Sequence, residues 1–128
     1  MGKEKIPWYI YHSENEILSL AGLFDEWTSN STGEELSTFT ILTTDANRMM
    51  AEIHNSAKRM PVILDKISER KWIDLSYSPD DASDLLKPLP DNILKAHTIS
   101  PLVNNKNVNR NTPELIQPYS YKPDNLLF

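Results

Sequence analysis

TFTILTTDANRMMAEIHNSAKRMPVIL, residues 38–64, is the stretch from which the fold is read. Residues 38–44 mix β-branched and aromatic side chains, which suit a pleated, half-buried surface, and they predict a strand. Thr44 or Asp45 offers a side-chain oxygen to cap the free amides of a helix start. Ala46, Met49, Met50 and Ile53 then recur at the spacing of one helical face. This pattern delivers His54 at or just past the last helical turn. Asn55 and Ser56 break the periodicity, Lys58 and Arg59 lead into Pro61, and Val62, Ile63 and Leu64 form a short apolar strand. A histidine and two cations are expected between two strands, held by one short helix.

Upstream, IPWYIY (6–11) reads as a strand with Pro7 tolerated near its start, and His12 as a solvated turn residue at its end. The nearly continuous apolar run ILSLAGLF (17–24) predicts a second strand buried on both faces, forming a hairpin with the first. Gly22 within it marks a bulge or a close backbone approach. A polar loop with Gly33 as its turn residue follows over 28–37, so the strand at 38–44 should pair back antiparallel.

Downstream, Asp65 is placed to cap a short amphipathic helix over 66–74, with Ile67 and Trp72 or Ile73 as its apolar positions. Ser78-Pro79-Asp80-Asp81 carries a capping hydroxyl, proline at the first helical position and acids in the first turn, with Pro88 and Pro90 to stop the helix. Residues 93–103 predict a strand interrupted at Pro101, and 104–111 an Asn-rich loop. Thr112 should cap a helical turn that opens at Pro113 and runs through Ile116. Residues 119–128 read as a tail ordered only if something docks it. Strands paired locally with short helices between them make the class α+β, with a mostly antiparallel sheet that curls towards a barrel.

A chain of 128 residues with 39% hydrophobic content can close one core. Its net charge of −5 argues against a nonspecific nucleic-acid coat, which needs clustered Lys and Arg. The chain has no cysteine, which removes disulfides, thiolate metal sites and thiol nucleophiles. His12, His54 and His97 stand apart without metal-ligand spacing, so neither metal nor other cofactor is expected. No apolar run approaches the roughly 20 residues that span a bilayer, and the first residues lack a signal peptide's apolar centre. These features predict a cytoplasmic protein with no membrane partner.

His54 is the leading candidate for proton transfer, because an imidazole titrates near neutrality; the alternative is a histidine favoured by the negative end of a helix dipole. Asn104, Asn105, Asn107 and Asn109, with Lys106 and Arg110, form a loop able to hydrogen-bond bases or phosphates, although such clusters also serve ordinary turns. Trp8, Tyr9 and Tyr11 can stack bases or pack in a core. Asp25 and Glu26 read as strand-end acids.

The segments TFTILTTDAN, IH and RMPVIL, with KIPWYIY and LSLAGLFDEW before them and VNNKNVNRNTPELIQP after, resemble the SOS-response-associated peptidase (SRAP) family of abasic-site processing proteins. The resemblance runs from about Lys3 to Pro118. It corresponds to the C-terminal portion of that family's domain, so 1–118 is expected to be a partial SRAP-like domain and 119–128 its tail. The resemblance implies capture of abasic sites in single-stranded DNA, with associated lyase and autoproteolytic peptidase activity. It makes His54 the catalytic histidine and Thr43 and Arg59 DNA contacts, to which the hydrogen-bonding capacity of the Asn-rich loop adds Asn105.

In that family the nucleophile is an N-terminal cysteine whose amine and thiol condense with the sugar aldehyde to give a thiazolidine. Here the second residue is Gly2, and the family's catalytic Glu has no counterpart. Residues 55–58 also make the gap between IH and RMP longer than the commonest family spacing. The expected partners are abasic single-stranded DNA in the complete domain, and either a missing N-terminal half or a second copy of this chain.

Overall fold

The computed structural model describes residues 5–14, 17–54 and 56–121. Among these residues, eight strands and three short α-helices succeed one another. The first five strands are β1 (Trp8–His12), β2 (Ser19–Leu20), β3 (Gly22–Thr28), β4 (Glu35–Ile41) and β5 (Thr43–Asp45). Helix α1 (Arg48–Ile53) leads to β6 (Arg59–Pro61) and β7 (Ile63–Leu64), followed by α2 (Lys66–Trp72), α3 (Pro79–Ser83) and β8 (Leu94–Thr98). Two 3-10 turns, Pro101–Asn104 and Pro113–Ile116, close the described chain. The class is α+β, and every strand pair is antiparallel.

The strands pair as β1 with β8, β2 with β7, β3 with β4 and β5 with β6. Among the described residues they do not close into the expected barrel. What organises them is a junction where three extended segments each break for one residue. Ala21 N–H donates to Val62 O, Val62 N–H to Leu42 O, and Leu42 N–H to Ala21 O, each at 2.9 Å. These three residues separate β2 from β3, β6 from β7 and β4 from β5. Each segment thus exchanges one strand partner for another at the junction while its backbone groups stay paired. The sequence period runs straight through such a break, which is why 17–24 and 38–44 read as single strands.

Two buried clusters flank the junction. Ala21, Val62 and Leu64 pack with Leu42, Trp72, Leu85 and Leu86; Met50, Met60, Ile63 and Leu94 pack with Ile10, Leu18, Ala46, Met49 and Leu89. Gly22 sits where a Cβ would lie 2.9 Å from the Thr40 carbonyl oxygen, so the close approach expected there is present. Gly33, at φ 71°, turns the chain between β3 and β4 in the left-handed region that glycine enters freely.

Several sequence expectations are corrected. The 6–11 and 17–24 strands do not form a hairpin, since β1 pairs with β8 and β2 with β7. The 17–24 run is not buried on both faces: Ala21 is, but Leu23 and Phe24 are exposed on a projecting ribbon. Helix α1 is capped by Asn47 and not by Thr44 or Asp45, which are paired in β5. Asn47 is buried with its amide used at both ends, accepting from Met50 N–H at 3.0 Å and donating to Leu89 O at 3.0 Å.

Asp65 caps α2 as expected, and Ser78 with Pro79 opens α3. On α2, however, Trp72 packs inward while Ile67 and Ile73 face solvent. Helix α3 ends at Ser83, well before Pro88, because Leu85 and Leu86 turn onto the junction cluster. Residues 101–103 form a 3-10 turn instead of strand, and Thr112 makes no capping bond. Thr98 and Ile99 hold the start of the expected tail, through Tyr119 N–H to Thr98 O at 2.9 Å and Tyr121 O–H to Ile99 O at 2.8 Å. Residues 122–128 of that tail lie outside the described residues.

Candidate functional site

Period-2 alternation in β1 sends Trp8 and Ile10 to one face and Tyr9 and Tyr11 to the other. On the second face the two tyrosine rings stack at 5.6 Å and both meet the His97 imidazole. His97 is held there because its Nε2–H donates to Ile116 O at 2.8 Å, and His12 Nδ1 accepts from Glu14 N–H at 3.0 Å. These two histidines therefore serve local structure. Among the described residues no group of three or more His, Cys, Asp or Glu could hold a metal ion. No helix among them is long and apolar enough to cross a membrane.

The first face of β1 forms one wall of an open hollow of about 460 Å³. Ile6, Trp8, Ile10, Met50, Ile53, Met60 and Pro61 give it an apolar lining, and Thr43, His54 and Arg59 are its polar residues. Three sequence candidates from separate parts of residues 38–64 thus meet at one place. Each is delivered by a different element: Thr43 opens β5, His54 is the C-cap of α1, and Arg59 opens β6.

His54 is exposed, and its backbone N–H donates to Met50 O at 2.8 Å, ending the helix. The longer gap between His54 and Arg59 is absorbed in a turn where Lys58 takes φ 49°. Lys58 O accepts from Ala46 N–H at 3.0 Å, which ties that turn to the start of the helical segment. A left-handed non-glycine residue is strained, so its neighbours over-determine this turn.

Arg59 faces Asp45 in the β5–β6 register but reaches diagonally to Thr43. Its Nε and Nη2 donate to Thr43 Oγ1 at 3.0 and 2.9 Å, and Nη2 also donates to Thr43 O at 2.8 Å. Nη1 lies 3.7 Å from Asp45 Oδ1, an exposed ion pair of small energetic weight. The guanidinium is thereby fixed at the mouth of the hollow with its plane set by Thr43. A fixed, always-charged guanidinium can bind a phosphate, and an imidazole lining the same hollow can move a proton.

Asn105 does not join this group. It closes the first 3-10 turn, its Oδ1 accepts from Asn107 N–H at 2.9 Å, and Asn109 likewise accepts from Asn111 N–H at 3.0 Å. Asp25 and Glu26 lie on the exposed β3–β4 ribbon, away from the hollow lining. Sequence reasoning weighed Trp8 among three strand aromatics without separating it. The alternation with Ile10 is the signal that sets it apart, and Trp8 is 41% exposed in the hollow wall.

Residues 1–106 match the family model described as SOS response associated peptidase (SRAP). The abasic site processing protein YoqW of Bacillus subtilis is 36% identical over 118 residues, covering 91% of this chain and 50% of that protein. The abasic site processing protein HMCES of Xenopus tropicalis is 35% identical over 130 residues, covering 87% of this chain and 37% of that protein. A crystallised protein of Bacteroides thetaiotaomicron superposes with a TM-score of 0.83 at 38% identity, covering 94% of this chain and 51% of that one. The chain spans about half the length of YoqW and less of HMCES.

Proposed function

Because this chain belongs to the SOS response associated peptidase (SRAP) family, we propose that it supplies the histidine and arginine side of a site that captures abasic sites in single-stranded DNA. The observation that carries this reading is the convergence of Thr43, His54 and Arg59 on one hollow. Residues 1–118 act as part of an SRAP-like domain, and the partner DNA follows from relatives whose names describe abasic site processing.

In this reading Arg59, fixed on Thr43, donates to a phosphate next to the lesion, and Asn105 makes a separate backbone contact further along the strand. The abasic sugar enters the hollow against Trp8. His54 moves a proton as the sugar ring opens to its aldehyde. A cysteine amine then condenses with the aldehyde, releasing water, and its thiol adds across the resulting C=N bond to close a thiazolidine. These 128 residues contain no cysteine, so in this reading that residue is supplied from outside them. The same absence favours a second reading, a noncatalytic binding module.

Fluorescence anisotropy with a labelled single-stranded oligonucleotide carrying one abasic site tests the DNA reading. Arg59→Ala should weaken binding about tenfold, as loss of a charged hydrogen bond implies, and lower the salt slope by about 0.7. Unchanged affinity and slope would sink the assignment of Arg59. Supplying a cysteine-bearing half separates the two readings: the capture reading requires a covalent adduct that His54→Ala slows, and the module reading requires none.

A further inference from the structure

A guanidinium presents its N–H donors in a planar fork, and the edge formed by Nε and one Nη suits side-on pairing with an anion. In Arg59 that edge is already used. Nε donates to Thr43 Oγ1 at 3.0 Å, and Nη2 donates to both Thr43 oxygens at 2.8 and 2.9 Å. Nη1 is the nitrogen that Thr43 leaves open, and it faces Asp45, whose Oδ1 lies 3.7 Å away. That distance is too long for a hydrogen bond, so charge alone ties the two groups. The backbone beneath them is held more firmly: Asp45 stands directly opposite Arg59 in the β5–β6 register, and Ala46 N–H donates to Lys58 O at 3.0 Å. The Asp45 carboxylate is 92% exposed. It is a charge on a fixed backbone whose side chain can swing.

We infer that Asp45 sets how tightly Arg59 takes a phosphate, by standing at the guanidinium nitrogen that Thr43 leaves open. The inference deepens the reading above and rests on it for the ligand, a DNA phosphodiester. A phosphodiester that reaches Nη1 meets a carboxylate of its own sign, so it either displaces Asp45 or shares the nitrogen with it against repulsion. Asp45 is thus a positioning residue that acts through Arg59. It weakens the hold on any phosphate of the strand, and retention then depends more on what fills the hollow. The pair is exposed, so the effect is modest and screened by salt.

The test measures binding of a labelled single-stranded oligonucleotide carrying one abasic site, at low salt. Asp45→Asn keeps the side-chain size and removes the charge; it should tighten binding about threefold, the worth of an exposed pair. The gain should fade near about 1 M salt, where screening reaches within about 3 Å. In an Arg59→Ala background the same substitution should do no more than Glu26→Gln, which removes an equal charge from the ribbon, away from the hollow lining. A gain that survives without Arg59, or that Glu26→Gln matches in the parent, reflects net charge and overturns the inference, as does unchanged affinity. A second measurement does without the lesion: inorganic phosphate is titrated while the Arg59 Nε–H signal is followed by NMR. Asp45→Asn should lower the midpoint about threefold. Equal midpoints, or a signal that phosphate never moves, overturn the inference. A lowered midpoint in a chain that fails to bind the oligonucleotide refutes the proposed function and leaves this inference standing.

Discussion

Asp65 accepts from the backbone N–H groups of Ser68 at 2.7 Å and Ile67 at 3.1 Å, and these bonds, the Ser68 amide first, hold its carboxyl below the usual range. A carboxyl lowered by folding stabilises the fold above the ordinary carboxylate pKa, and that contribution is lost as pH falls through the folded value. Asp65→Ala should cost about 1 kcal/mol at pH 7, the usual worth of a cap. The gap between variant and parent should narrow below about pH 4, and urea titrations at pH 7 and pH 3 measure it. Thr43→Val makes the opposite kind of case, because it removes the hydroxyl that accepts from Arg59 Nε and Nη2, leaves the bond to the Thr43 carbonyl, and keeps the side-chain shape. Both residues are exposed, so stability should move by no more than about 0.5 kcal/mol. DNA affinity should fall by less than in Arg59→Ala, and parallel melting and anisotropy measurements separate the two effects.

Helices and strands here are short, and what fixes them is the junction of Ala21, Leu42 and Val62 more than their own propensity. Ala21 and Val62 are completely buried, and each of the three backbones gives and takes one hydrogen bond. Gly22 follows directly. Its carbonyl accepts from the Trp72 indole N–H at 3.1 Å, tying the ribbon's base to α2. Gly22→Ala would push a methyl against the Thr40 carbonyl, a backbone atom that cannot step aside. A loss of about 1–3 kcal/mol is expected from such overpacking, read as a lowered melting temperature. The two turns most legible beforehand, Gly33 and Ser78-Pro79, are those whose residues act locally. The cap of α1 is not legible in the sequence because Thr44 and Asp45 offer the same oxygen chemistry as Asn47, and only pairing with β6 removes them.

At the scale of the whole molecule, the chain holds the convergent Thr43, His54 and Arg59 but no cysteine. Incubated alone with abasic single-stranded oligonucleotide, it should give no heat-stable shifted band in denaturing electrophoresis. A band that appears without added partner would point to a lysine acting through a Schiff base and would refute the borrowed mechanism.

The α+β class, the antiparallel pairing of the segments around 22–41, the caps at Asp65 and Ser78, and the family are legible in the chain's residues, because each rests on local chemistry or on motif order. So is the place of His54 at the end of its helix, since periodicity carries that far. Tertiary structure alone decided that β1 joins β8 and β2 joins β7, and that three strands change partner at a single buried point. It alone turned the apolar ribbon outward and folded Arg59 back onto Thr43. Hydrophobic pattern says which residues seek burial; it carries no record of which distant backbone completes their hydrogen bonds, and that choice sets both the exposed ribbon and the shape of the hollow.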